Sequence, residues 1–310
     1  MRIVVSEFMD EAAVATLAAR FDVHYAPMLV DRPADLASEV RDADALIVRN
    51  RTRVDAALLA HAARLRVVGR LGVGLDNIDV EACRGRDVTV IPATGANARA
   101  VAEYVIATAL VLLRGAFAST SAVAAGAWPR AALSQGRELA GRTIGLVGFG
   151  GIGRLTGALA RAMGMQAIGF DPNVAPASSV WSDESTSPRS LPALLAEADV
   201  VSLHVPLTAD TRHLIDAARI AAMKPDAILI NTARGGVVDE RALAEALRAG
   251  RIAGAALDVF EHEPLGAQSP LADCPNLLLT PHIAGVTRES NTRVSALIAA
   301  RVAEVLDAAG

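Results

Sequence analysis

Short runs of β-branched residues alternate with alanine-rich stretches of helical length, and they do so in two separate series. Strands separated by helices of about 10–15 residues cannot pair as tight hairpins. Each must cross over a helix and lie parallel to its neighbour. The first series predicts strands at residues 2–6, 22–26, 45–49, 66–71 and 88–92, with helices starting near Asp10, Asp31, Val54 and Asp79. A long helical stretch, 98–125, separates it from the second. That series predicts strands at 143–148, 166–171, 199–205, 227–232, 252–258 and 276–280. Residues 171–189, rich in Pro, Ser and Asp, read as irregular surface chain. A closing helix over 290–309 follows from the spacing of Val294, Ile298, Val302 and Val305. The fold class is therefore α/β, with parallel sheets covered by helices.

Length and composition narrow this further. At 310 residues the chain has room for two domains. It is 52% hydrophobic but only 3% aromatic, so its cores must be aliphatic. A formal net charge of −4 argues against a nucleic-acid surface or a polybasic membrane contact. Lys224 is the sole lysine, and the other 29 basic residues are arginines, so a single arginine says little about function. The most apolar run, 101–113, is interrupted by Glu103 and is short for the ~30 Å of a bilayer core. The first residues lack a signal peptide's apolar stretch. Cys83 and Cys274 lie far apart and make no metal-ligand spacing. The expectation is a cytoplasmic protein without a structural metal.

Four segments carry chemistry. Gly148-Phe149-Gly150-Gly151-Ile152-Gly153 follows a predicted strand and opens a predicted helix, the setting of a dinucleotide-binding turn. Gly148 permits the turn, Gly150 lets a pyrophosphate approach, and Gly153 lets helix and strand pack. Gly151 leads into the helix read over Ile152 to Met163, whose free N–H groups favour an anion. Asp171 ends the next strand and would accept from ribose hydroxyls; with Pro172 and Asn173 following, it points to NAD over NADP. Arg234, Glu263 and His282 each follow a predicted strand of the second series. They read either as an Arg, an acid and a His meeting beside a nicotinamide, or as a helix-cap arginine, a solvated glutamate and a satisfied histidine. Gly69-Arg70-Leu71-Gly72-Val73-Gly74 reads as an anion nest of backbone N–H groups or as a plain glycine-rich connection.

Together these segments, with Asn97, Ala100 to Glu103, Gly254 to Pro264 and Thr280 to Gly285, resemble the D-isomer-specific 2-hydroxyacid dehydrogenases over essentially the whole chain. The resemblance implies two doubly wound (Rossmann/flavodoxin-like) domains with the active site in the cleft. Residues 1–97 plus 287–310 would form the substrate-binding domain, and 98–286 an inserted NAD-binding domain that also makes a homodimer. It implies Arg234 as the clamp on substrate carboxylate and carbonyl, His282 as acid/base and Glu263 as its partner. It places Asp258 near the nicotinamide carboxamide, and His204, Val205 and Pro206 beside the adenosine. Thr232, Ala233 and Gly285 join the cofactor set. Val73 and Gly74 would hold the substrate carboxylate.

Within the family, residues 6–13, 48–55, 69–79 and 285–291 are similar to those of (S)-sulfolactate dehydrogenases. Stereochemistry agrees, because a CH2–SO3⁻ branch outranks the carboxylate and turns a D-type product into the S isomer. The implied substrate is a small anionic 2-oxo or 2-hydroxy acid with a second anion. Arg49, Arg51 and Arg70 are the candidate cations for it. Arg49 and Arg70 also match positions near the distal anion in 3-phosphoglycerate dehydrogenases, and Arg130, after Trp128-Pro129, resembles an arginine those enzymes present across a dimer. Phosphoglycerate dehydrogenase and hydroxypyruvate or glyoxylate reductase are the alternative activities. No serine-sensing module is expected. An NAD-sensing corepressor scaffold is the reading outside enzymology.

Overall fold

The structure, a computed structural model, describes residues 1–308. The chain divides into two compact units. One comprises Met1–Asn97 and the chain from Val286 onward; the other is Ala98–Gly285. The return therefore begins at Val286, one residue before the expected 287.

In the first unit, β1 (Arg2–Val5), β2 (Asp22–Tyr25), β3 (Ala45–Val48), β4 (Val67–Arg70) and β5 (Thr89–Pro92) form an all-parallel sheet in the order β2-β1-β3-β4-β5. The pleat sends alternate residues to opposite faces. Ile3, Val5, Ile47 and Val67 pack on one face with Leu17 and with Val294, Ile298 and Val302 of the closing helix, Arg288–Asp307. Val4, Leu46, Val48 and Val68 pack on the other with Leu36, Leu59 and Cys83. Burial on both faces explains why β3 is a continuous apolar run. The closing helix thus covers the first sheet. It approaches β4 closely because residue 69 has no side chain: a Cβ there would lie 2.7 Å from Ile298 Cγ2 and 2.8 Å from Val302 Cγ2.

In the second unit, β6 (Thr143–Val147), β7 (Gln166–Phe170), β8 (Ser187–Pro188), β9 (Val200–Leu203), β10 (Ile228–Asn231), β11 (Gly254–Leu257) and β12 (Leu277–Leu279) form a parallel sheet in the order β12-β11-β10-β9-β6-β7-β8. The order reverses between β6 and β9, the place where such sheets bind ligands beyond the strands' carboxyl ends. Helices Ala98–Arg114 and Gly151–Ala162 flank one face. Leu194, Ile220, Leu243 and Leu247 pack on the other.

Two expectations are corrected. The helix expected over 98–125 stops at Arg114, because Gly115 turns left-handed (φ +63°); short turns at Ala116–Ser119 and Thr120–Ala124 follow. The segment 171–189 is not irregular throughout. It carries a helical turn, Ser179–Asp183, and strand β8. Trp181 anchors it, 4% exposed and stacked on Phe149 with ring centroids 4.4 Å apart. The strands match their expected positions to within one or two residues. No single described helix is long and apolar enough to cross a membrane.

Gly69→Ala should force the closing helix away from β4 and cost about 1–3 kcal/mol of stability, read from urea unfolding. An unchanged unfolding midpoint would show that this contact yields freely.

Candidate active site

Asp258, just past β11, is 1% exposed. Its Oδ1 accepts from Thr280 Oγ1 at 2.6 Å and from Ile283 N–H at 2.8 Å, and its Oδ2 from Ala284 N–H at 2.8 Å. Its backbone carbonyl accepts from His282 N–H at 2.8 Å. The Thr280 hydroxyl has one hydrogen, and a carboxylate can only accept it. Tyr104 must therefore be the donor in the 2.6 Å contact between its hydroxyl and Thr280 Oγ1. This network holds His282 at φ +54°, a left-handed backbone that a non-glycine residue adopts at a cost of order 1 kcal/mol.

His282 Nδ1 lies 2.8 Å from Glu263 Oε2. Because an ionised carboxylate only accepts, Nδ1 carries the hydrogen, and Nε2 is left to exchange a proton with a ligand. Glu263 is itself fixed: Oε1 accepts from Phe260 N–H at 3.1 Å. The pair predicted from sequence is thus formed, and it is about 40% exposed.

Arg234 follows β10 in a turn organised by Asn231. The Asn231 side chain, 1% exposed, accepts from Ala233 N–H at 3.0 Å and donates to the Arg234 carbonyl at 2.9 Å. The Arg234 guanidinium donates to the Ala233 carbonyl at 2.6 Å. The next residue must be glycine. A Cβ on Gly235 would sit 1.7 Å from the Phe260 carbonyl oxygen, so the Arg234 turn and the Glu263 loop touch backbone to backbone. Arg234, Glu263 and His282 therefore all follow neighbouring strands β10, β11 and β12.

The glycine turn fits a dinucleotide. A Cβ on Gly148 (φ +96°) would meet the His204 carbonyl at 2.6 Å, and one on Gly153 would meet the Gly148 carbonyl at 2.2 Å. By contrast, a Cβ on Gly150 or Gly151 would meet nothing within 4 Å. Two glycines close the turn, and two leave open space before the helix that begins at Gly151 and continues through Ile152. Asp171 Oδ2 accepts from Phe149 N–H at 2.8 Å, and its Oδ1 from Asn173 N–H at 2.9 Å, which locks the carboxylate to the turn. Thr232 Oγ1 is buried and has no hydrogen-bond partner among the described residues, an orphan that a bound polar group would satisfy. His204 Nε2 lies 3.0 Å from Ser202 Oγ. Burial pushes its pKa down to about 4, so it is neutral at pH 7. Val205 is buried and Pro206 exposed beside it.

In the first unit Arg49 and Arg70 sit at the carboxyl ends of adjacent strands, with Val48 registered against Arg70. The Arg70 guanidinium lies against Gly72, where an added Cβ would be 1.4 Å from Nη1. Among the described residues, neither the Val73 nor the Gly74 N–H has a hydrogen-bond partner. Arg51 is bound differently: its guanidinium pairs with Asp31 at the surface, which raises its pKa. Arg130 is exposed, and its side chain makes no hydrogen bond or ion pair among the described residues. Sequence reading missed Asn231, Gly235, Thr280 and Tyr104. Asn231 and Gly235, inside the Arg234 motif, and Thr280, at the head of the His282 motif, carried a local signal; Tyr104 did not.

Residues 106–284 match the family model for the D-isomer specific 2-hydroxyacid dehydrogenase, NAD binding domain. The chain is similar to an (S)-sulfolactate dehydrogenase of Chromohalobacter salexigens, 56% identical over 94% of each chain. It is also similar to a D-3-phosphoglycerate dehydrogenase of Mycobacterium leprae, 39% identical over 97% of this chain but only 56% of that one. Among solved structures it resembles a D-lactate dehydrogenase from Aquifex aeolicus complexed with NAD and lactic acid, with a TM-score of 0.87, 28% identity and coverage of 99% and 97% of the two chains. The folded turn, the bonded histidine and glutamate, and these likenesses agree: the chain belongs to the D-isomer-specific 2-hydroxyacid dehydrogenase family and is an NAD-dependent enzyme of it.

Proposed function

We propose that this dehydrogenase interconverts 3-sulfopyruvate and (S)-3-sulfolactate. The observation that carries the substrate assignment is the 56% identity to the Chromohalobacter salexigens (S)-sulfolactate dehydrogenase over nearly the full length of both proteins. The lower identity to the phosphoglycerate dehydrogenase, 39%, makes that activity the alternative.

The residues divide the work as follows. Gly150, Gly151 and Ile152 hold the pyrophosphate at the helix N-terminus, in the turn that Gly148 and Gly153 close. Asp171 accepts from the adenosine ribose, and neutral His204 with Val205 and Pro206 lines the adenosine. Thr232, Ala233, Asp258 and Gly285 face the nicotinamide end. When bound, the reduced cofactor supplies the hydride that the substrate's carbonyl carbon takes up. Arg234 grips the carboxylate and carbonyl through parallel N–H groups, a geometry that lysine cannot reproduce. In the first unit, the Val73 and Gly74 N–H groups are further candidates to hold a carboxylate. His282 gives the Nε2 proton to the developing alkoxide and recovers it in oxidation, while Glu263 fixes the ring through Nδ1. Arg49 and Arg70 take the sulfonate. Arg51, already paired with Asp31, is the weakest candidate of the three for that role. The unit Ala98–Gly285 is also proposed to pair two copies of the chain. Trp128, 78% exposed, and Phe117, 62% exposed, support an interface there, which would carry the neighbouring Arg130 to a second copy.

Three measurements test this reading. NADH oxidation should favour sulfopyruvate over hydroxypyruvate by at least tenfold in kcat/KM, about 1.4 kcal/mol. A smaller preference refutes the substrate, a preference for 3-phosphohydroxypyruvate selects the alternative, and tight NADH binding without turnover of any 2-oxo acid selects a scaffold. His282→Asn should lower kcat by about 10²–10⁴ with NADH affinity retained; a loss below tenfold would take proton transfer away from His282. Gly150→Ala should raise the NADH Kd by roughly tenfold or more while leaving the cofactor-free Tm unchanged, since its Cβ projects into open space. Unaltered NADH affinity would place the pyrophosphate elsewhere.

A further inference from the structure

Three of the segments that resemble sulfolactate dehydrogenases, residues 6–13, 48–55 and 285–291, meet at one guanidinium. The first supplies Glu7 and Phe8, the second Arg49, and the third Asn291. Glu7 is 5% exposed. Its Oε1 accepts from Arg49 N–H at 2.8 Å and Thr52 N–H at 2.9 Å, and its Oε2 from Asn50 N–H at 3.3 Å and Arg51 N–H at 3.2 Å. Consecutive N–H groups turned inward form an anion nest. Here the protein's own carboxylate occupies it, so the loop is shaped from within and its amides are spent. A second anion must be met by side chains.

The Arg49 side chain is then held from two directions. Its Cζ lies 5.8 Å from the centroid of the Phe8 ring, and its Nη2 donates to Asn291 Oδ1 at 2.9 Å. Among the described residues no carboxylate forms an ion pair with it. Arg51, two residues on, shows the opposite arrangement, bound to the carboxylate of Asp31. The chemical difference is in the acceptor. A carboxylate orients a guanidinium and cancels its charge. A neutral amide orients it and leaves the charge in place for an incoming anion, a difference that grows as water is excluded. Burial already lowers the Arg49 pKa, with the field of Glu7 acting the other way.

We propose that Asn291 is a specificity-determining positioning residue, holding Arg49 through an uncharged amide so that one aimed cation awaits the second anion of the substrate. This rests on the sulfonate reading above. Asn291→Asp would convert the neutral acceptor into a competing anion. Steady-state kcat/KM is measured for sulfopyruvate and for glyoxylate, which lacks a distal anion, in the purified full-length enzyme. Asn291→Asp should lower the sulfopyruvate/glyoxylate ratio by about tenfold or more, through KM for sulfopyruvate. Asn291→Gln, neutral and still an acceptor, should keep most of the ratio. An unchanged ratio in Asn291→Asp, or equal damage in Asn291→Gln, overturns the proposal. Arg49→Met separates the two levels. If it leaves the ratio unchanged, the distal-anion reading itself fails; if it lowers the ratio while Asn291→Asp does not, that reading stands and the role of Asn291 falls. Thermal unfolding of each variant checks that the fold is kept.

Discussion

One buried carboxylate organises the chemistry of the second unit. Asp258 gathers a hydroxyl and two backbone N–H groups onto its side chain, and a third N–H onto its carbonyl. An ionised carboxylate this deep is tolerated only when its oxygens are well supplied with donors. Those donors come from the very turn that holds His282 left-handed. The cost of burying the charge and the cost of the strained backbone are thus offset by the same hydrogen bonds. Tyr104 extends the network to the helix that opens the unit, tying the histidine's position to the packing of Ala98–Arg114 on the sheet.

The second recurring device is the missing side chain. Gly235 lets the Arg234 turn touch the Glu263 loop, Gly153 lets a helix touch its own turn, and Gly69 lets the closing helix settle on β4. At each, backbone or a branched methyl occupies the space of a Cβ. Gly150 and Gly151 differ in kind, because their space is empty. One residue type therefore marks both the joints of the protein and the room it reserves for a ligand, and only the surroundings tell which is which.

Much of this was legible in the sequence because parallel α/β sheets write themselves locally. Continuous apolar strands, capped helices and glycine turns each sit within a few residues. The glycine turn with Asp171, and the triplet Arg234, Glu263 and His282, were readable for that reason. Thr280, Tyr104 and Asn291 were not assigned roles, since each acts across a long stretch of chain and nothing local says which distant residue it meets. The break at Gly115 was hidden because the alanine-rich pattern continues past it and only backbone handedness changes there. The turn at Ser179–Asp183 was hidden by its polar composition; its cause is one aromatic ring. Arg49 and Arg51 looked equivalent in the sequence, and only their partners, an amide and a carboxylate, separate them.

That aromatic ring has an optical consequence. The chain contains two tryptophans, and their surroundings could hardly differ more. Trp181 is enclosed and stacked on Phe149, the second residue of the glycine turn, while Trp128 stands in solvent. In a single copy of the chain, soluble quenchers reach the second and not the first. The emission that survives them comes from a fluorophore built into the wall of the dinucleotide turn, so the protein carries its own reporter of what that turn holds.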